Sequence, residues 1–137
     1  MGFLIDTNIL SEIQKGERAD VGVKTWYANC DPNDLFLSVL VVGEIRQGIE
    51  RLRRRDPAQA ERLEQRLADV LDMMQGRILP ITASIAQKWG CLNSPDPLPV
   101  IDGLLAATAL EHGLTLVTRN VRDVKRSSVT LLNPFSI

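Results

Sequence analysis

An α/β fold is predicted, a three-layer α/β/α sandwich around a mostly parallel central sheet, and three observations predict it. Short, nearly all-apolar runs alternate with longer segments of helical periodicity, as strands covered on both faces require. Cap and stop signals flank the helical segments. The 137 residues show no repeat, low-complexity stretch or linker, and a chain of that length buries one real core, so residues 1–137 are read as a single domain.

Each element has its own signal. Phe3-Leu4-Ile5 is an apolar run ending at Asp6, the pattern of a buried strand delivering its last residue to a sheet edge. Thr7-Asn8 starts a helix that carries Ile9, Leu10 and Ile13 to about Lys15, with Gly16 as its stop. A second helix, about Val21 to Asn29, presents Val23, Trp26 and Tyr27, and Asp31-Pro32-Asn33-Asp34 is a turn. Leu35-Phe36-Leu37 is the second strand, after which Ser38 caps a helix with Val41, Val42, Ile45, Ile49 and Leu52 along one side. Asp56-Pro57 is an N-cap followed by proline at the first helical position. Leu63, Leu67, Val70, Leu71 and Met74 then recur at three and four, up to Gly76. Ile78-Leu79 is the third strand, and Thr82 caps a short helix carrying Ile85, Ala86, Trp89 and Leu92. Ser94 to Pro99, with three prolines, is a loop. Val100 to His112 is an Ala- and Leu-rich helix stopped by Gly113; Leu114 to Val117 and Val129 to Leu132 are the last two strands.

Composition removes several function classes. No apolar run approaches the ~18 residues of a membrane span, and the N-terminus lacks a basic leader pattern, so a cytoplasmic protein is expected. Cys30 and Cys91 form no C-x-x-C pair, which leaves neither a zinc knuckle nor a redox motif. A hydrolase built on histidine would have to use His112, the only one, beside a helix-ending glycine. The net charge of −1 argues against a general nucleic-acid coat, but it averages over a division. Residues 46–66 hold seven Arg against four acids, a local +3, and Arg119, Arg122, Lys125 and Arg126 against Asp123 make another. Twelve of the sixteen basic residues are Arg, the better phosphate fork, although for the first cluster taken alone a solvated, salt-bridged helix face is the favoured reading.

In doubly wound sheets, ligands bind outside the carboxyl ends of the strands. Asp6 ends the first strand, Glu44 lies early in the helix after the second, and Asp102 lies in the first turn of the helix before the fourth. Thr118-Arg119-Asn120 follows that fourth strand, with Asp123 one turn further on. Carboxylates gathered at one edge repel unless a cation neutralises them, and an oxygen-only set suits Mg²⁺ or Mn²⁺. Singly, each has a structural alternative: Asp6 as an N-cap, Asp102 as a partner of the helix dipole, Glu44 as a solvated helix residue.

Four segments carry a resemblance. Leu4-Ile5-Asp6-Thr7-Asn8, Ser38-Val39 with Gly43 to Ile49, Ile101-Asp102-Gly103 through Ala109, and Leu116 to Asp123 resemble, in order and spacing, the PIN-domain ribonucleases. Within that superfamily the pattern is closest to the VapC/FitB toxins of type II toxin–antitoxin pairs. The resemblance implies a PIN-like fold and Mg²⁺- or Mn²⁺-dependent endonucleolytic cleavage of RNA, often a tRNA or rRNA loop. It implies Asp6 and Asp102 as direct metal ligands. Glu44 would hold a second ion or its waters and orient or deprotonate the attacking water. Thr7 and Asn8 would support the metal shell, and Thr118 would bond to Asp6. Asn120 stands where many relatives carry Asp, and Asp123 either substitutes through a water or only caps the following turn, the second being favoured. Arg46, Arg51, Arg119 and Arg122 are candidates for holding flanking phosphates of the RNA. A homodimer and a VapB-type antitoxin are the implied partners, with the surface around Ile13 and Trp26 a candidate for the antitoxin. A non-catalytic PIN-like interaction module is the alternative. A receiver-like phospho-acceptor domain ranks third, for want of paired acids after the first strand.

Overall fold

A computed structural model describes residues 1–136. Ile137, within the expected 1–137 domain, and the Arg126 side chain, counted in the second basic stretch, lie outside the described residues. The elements run β1 (Phe3–Ile5), α1 (Thr7–Ile13), α2 (Val21–Ala28), β2 (Leu35–Ser38), α3 (Val39–Arg53), α4 (Pro57–Met73), β3 (Ile78–Leu79), α5 (Ala83–Leu92), α6 (Val100–His112), β4 (Thr115–Val117), α7 (Val121–Val124) and β5 (Leu131–Leu132). The short α7 was not expected. The sheet order is β3-β2-β1-β4-β5, and every pairing is parallel. The result is the expected α/β/α sandwich.

This strand order decides where a site can form. From β1 the chain builds outward through β2 and β3, then crosses back to add β4 and β5 on the other flank. Helices leaving β1 and β4 therefore diverge, and a crevice opens at their carboxyl ends. Ile5 is in register with Val117, so the next residues, Asp6 and Thr118, emerge side by side.

The strands are apolar because both faces are covered: Leu4, Ile5, Leu35, Leu37, Leu116 and Val117 are all buried. The strongest buttress is α6, where Gly103, Leu105, Ala106, Ala107, Thr108 and Ala109 are buried in succession. A helix buried nearly all round needs small residues to approach its neighbours closely, and the Thr108 hydroxyl is satisfied by the Leu104 carbonyl at 2.7 Å. Ile49, Ala60 and Leu67 form a smaller core between α3 and α4. The caps act as their chemistry dictates. Ser38, Asp56 and Thr82 accept from the Leu40, Gln59 and Ile85 amides, and Gly113 ends α6 at φ 63°, where only glycine is unstrained. No helix among the described residues is long and apolar enough to cross a membrane.

Candidate active site

Asp6 is the centre of the crevice. It caps α1, and its carboxylate is nearly inaccessible at 5% exposure. Oδ1 accepts from the Thr7 amide at 2.7 Å; Oδ2 accepts from the Thr118 hydroxyl at 2.7 Å and from the Asn8 amide nitrogen at 3.4 Å. The Thr118 oxygen also accepts from the Asn120 backbone N–H at 3.0 Å, which turns its proton toward Asp6. Asn8 offers its other end, Oδ1, to the Arg119 backbone N–H at 3.2 Å. Asp6 is thus both the N-cap that local sequence suggests and an oriented carboxylate. The two readings do not compete.

Glu44 is held from the same side. On α3 it is half-buried, and its Oε1 accepts from the Thr7 hydroxyl at 2.6 Å. Thr7 therefore acts on Glu44 with its side chain and on Asp6 with its backbone. Asp102, half-buried in the first turn of α6, has its carboxyl pushed up to about 6. Burial is the main cause, followed by the negative charges of Asp6, Asp123 and Glu44. The charges of three acids from separate elements thus bear on Asp102 at the switch point of the sheet.

The residues around the fourth acid differ from expectation. Asn120 occupies the N-cap position of α7, but its side chain makes no cap bond and is exposed. Asp123, favoured only as a cap, lies inside the first turn of α7, and its charge reaches Asp102. The basic candidates separate as well. Arg46 is bound by Glu50 at 3.2 Å and Glu64 at 2.8 Å in a network that also holds Arg53, so its charge is already compensated. Glu64 is drawn below the ordinary carboxylate range by Arg46 and then Arg53. Arg51 is exposed on α3, two turns beyond Glu44, and Arg122 is exposed on α7. Arg119 lies at the rim with its guanidinium 4.5 Å from the centre of the Phe135 ring, a cation–π contact that sequence reasoning missed. Thr7 and Ser11 of α1 and Gln14, its C-cap, recur at helical spacing along one face.

The donor chemistry fits a hard divalent ion: oxygen ligands alone, with Asp102 destabilised as an anion by burial and then by its acidic neighbours. No three acidic, His or Cys side chains among the described residues are already drawn together as a coordination shell. Asp6 and Glu44 are instead satisfied by Thr118, Asn8 and Thr7.

A model of the PIN domain matches residues 3–126, a span that contains Asp6, Glu44, Asp102 and Asp123. The chain belongs to the PIN-domain family. This PIN domain is 32% identical to toxin FitB of Neisseria gonorrhoeae over 142 aligned residues, covering 96% of this chain and 97% of that one. It is 31% identical to the VapC ribonuclease Y4jK of Sinorhizobium fredii, with 96% of each chain covered. The crystal structure of FitAcB from Neisseria gonorrhoeae superposes with a TM-score of 0.88 at 30% identity, over 96% of this chain and 97% of that one. A toxin–antitoxin complex from Klebsiella pneumoniae matches with a TM-score of 0.75 at 27% identity, over 99% of this PIN domain and 100% of that chain. The recognition made from four motifs, and the fold it implied, are borne out over nearly the whole chain.

Proposed function

We propose that this chain is a divalent-metal-dependent endoribonuclease, the toxin of a type II toxin–antitoxin pair. The observation that carries the reading is the gathering at the strand edge of Asp6, oriented by Thr118, Glu44, oriented by Thr7, and half-buried Asp102, whose carboxyl is raised by burial and then by the charges of Asp6, Asp123 and Glu44. Asp6 and Asp102 would hold Mg²⁺ or Mn²⁺, and Glu44 would hold a second ion or its waters. Such an ion lowers the pKa of water and offsets charge on a phosphoryl oxygen. The protein's own part is orientation. Thr118 and Asn8 fix the Asp6 carboxylate, and Thr7 fixes Glu44 with one oxygen engaged, leaving Oε2 to accept a proton from an attacking water. Arg119 and Arg122 at the rim supply the attraction that the acids deny to a phosphodiester backbone. Asn120 then serves through its backbone N–H on Thr118, not as a fourth acid.

The partner reading follows the relatives, among them a toxin–antitoxin complex. The expected antitoxin surface shifts in detail. Trp26 is turned inward, edge-on to Phe3 at 5.5 Å, so it offers little to a partner. Ile13 instead borders an apolar cavity of about 150 Å³ with Tyr27, Val70 and Met73, the last of these 60% exposed. A VapB-type antitoxin would cover this surface, on a homodimeric toxin in the cytoplasm.

Purified chain incubated with total RNA should cleave it in Mg²⁺ and not in EDTA, while Asp6→Asn and Asp102→Asn should be inert. Equal cleavage by wild type and both variants sinks the catalytic reading and favours the interaction module. Induced expression should arrest growth, and co-expressed antitoxin should restore it.

A further inference from the structure

A cleft of about 320 Å³ adjoins the acidic cluster, between α1 and α3, with Leu63 of α4 at its far side. Its near wall is the hydrogen-bonded pair Thr7 and Glu44, so cleft and crevice share a boundary. Glu44 is the only charged side chain on it, so nothing there would attract a phosphate. Ile45 and Leu63 supply apolar surface, while Ser11 and Gln14 present a hydroxyl and an amide. Neither of those side chains is hydrogen-bonded to another described residue, and between them they offer both donors and acceptors. At Gly48 an added Cβ would meet no atom beyond its own stretch of helix within 4 Å, so the α3 wall stays low there.

A partly apolar recess of that volume, with Glu44 as the one charge among its described lining residues, is the size of an ordinary small-ligand site. With unpaired amide and hydroxyl groups beside a phosphodiester-cleaving centre, it suits a flat heterocycle with a polar edge. We propose that it receives the base of the ribonucleotide next to the scissile phosphate, with Gln14 and Ser11 reading the base edge. This rests on the ribonuclease reading above. It adds a specificity pocket to that reading, since single-stranded bases splayed from a loop are what such enzymes can read.

Two measurements test the pocket and keep its failure distinct from failure of the ribonuclease reading. In the first, isotope-labelled chain in Mg²⁺ is titrated with each of the common ribonucleoside monophosphates and followed by NMR, which needs no cleavage. Shifts should appear at Ser11, Gln14 and Gly48, strongest for one base, and disappear in Gly48→Leu, a substitution that an α-helix favours. In the second, wild type and Gln14→Ala cut a random-sequence RNA pool, and bases flanking the cut are counted. A wild-type preference of roughly tenfold at one flanking position, the selectivity one good hydrogen bond confers, should flatten in Gln14→Ala while total cleavage persists. Absence of shifts at these residues with every nucleotide overturns the pocket, whether or not the chain cleaves RNA. So does a base preference unchanged by Gln14→Ala and Gly48→Leu. Loss of antitoxin neutralisation in those variants, with shifts and preference intact, assigns the cleft to the protein partner and overturns the proposal equally.

Discussion

The Thr118 hydroxyl donates to the Asp6 carboxylate at 2.7 Å across 112 residues of sequence, at the point where β1 and β4 release their chains in opposite directions. The bond is buried at both ends, Thr118 at 1% and Asp6 at 5% exposure. It joins the sheet's switch point to its chemistry, since the register that pairs Ile5 with Val117 is also what brings the two side chains together.

Thr118→Val keeps the shape of the side chain and removes that donor, and with it the acceptor of the Asn120 amide. Buried groups left unpaired cost about 1–3 kcal/mol, so thermal unfolding should occur several degrees lower. Loss of an orienting partner behind a metal ligand typically weakens metal affinity about 10–100-fold. Cleavage followed against Mg²⁺ concentration should therefore shift to higher metal, with much of the maximal rate recovered at saturation. An unmoved Mg²⁺ curve would show that Thr118 only supports the fold.

The pH dependence follows from Asp102, whose carboxyl is raised to about 6 by burial and by Asp6, Asp123 and Glu44. Because the folded value lies above the unfolded one of about 3.9, folding favours the protonated form. The metal-free chain should thus lose stability as pH rises from about 4 to about 6, and Asp102→Asn should be more stable than wild type at pH 7 in EDTA. The advantage should vanish at low pH, where wild-type Asp102 is protonated as well. Added Mg²⁺ should stabilise wild type and not the variant. Catalysis has the opposite sense, since it needs the carboxylate and should fall as pH drops through about 6. Thermal melts across pH, with and without Mg²⁺, check both halves.

What was legible depended on the range of the interaction. Ser38, Asp56-Pro57, Thr82 and Gly113 carry their roles in adjacent residues, and the helices start and stop where those signals stand. Asp6, Glu44 and Asp102 stand out in the sequence because an acid interrupts an apolar pattern at a strand end or within the first two turns of a helix. The Arg46–Glu50 pair, four apart on one helix, was readable; its second bond, to Glu64, depends on how closely α3 approaches α4, and no local rule supplies that. The same holds for Arg119 over Phe135 and for Trp26 against Phe3. The α7 turn was overlooked because four residues give too little periodicity to register.

The helix that carries Asp102 should be the most sensitive part of the core. Leu105 is fully buried three residues beyond Asp102 in α6. Leu105→Ala should cost about 2–5 kcal/mol through lost burial and a residual cavity. The unfolding midpoint in urea should fall accordingly with an unchanged slope. Ala substitution at exposed Leu110 of the same helix should change stability far less, and comparable losses at both positions would contradict the burial pattern.

The basic residues give the sharpest contrast between sequence and structure, because two of the four candidates stand near the crevice and one is already neutralised. Arg119 and Arg122 flank the acidic cluster after β4, while Arg46 is engaged by Glu50 and Glu64. If phosphates are held at the rim, Arg119→Ala and Arg122→Ala should each weaken RNA binding without regard to sequence and reduce the slope of log affinity against log salt by about one. Arg46→Ala should leave both quantities unchanged and cost at most about 1 kcal/mol of stability, as exposed ion pairs do. Binding of a non-cleavable RNA by the Asp6→Asn background across a salt series separates the cases. Arg119 has a second control: Phe135→Leu removes the ring beneath its guanidinium but leaves the charge, so affinity should fall less than in Arg119→Ala while the salt slope stays at the wild-type value. A salt slope that drops with Arg46→Ala and not with Arg119→Ala would move the RNA path from the β4 rim to the outer face of α3.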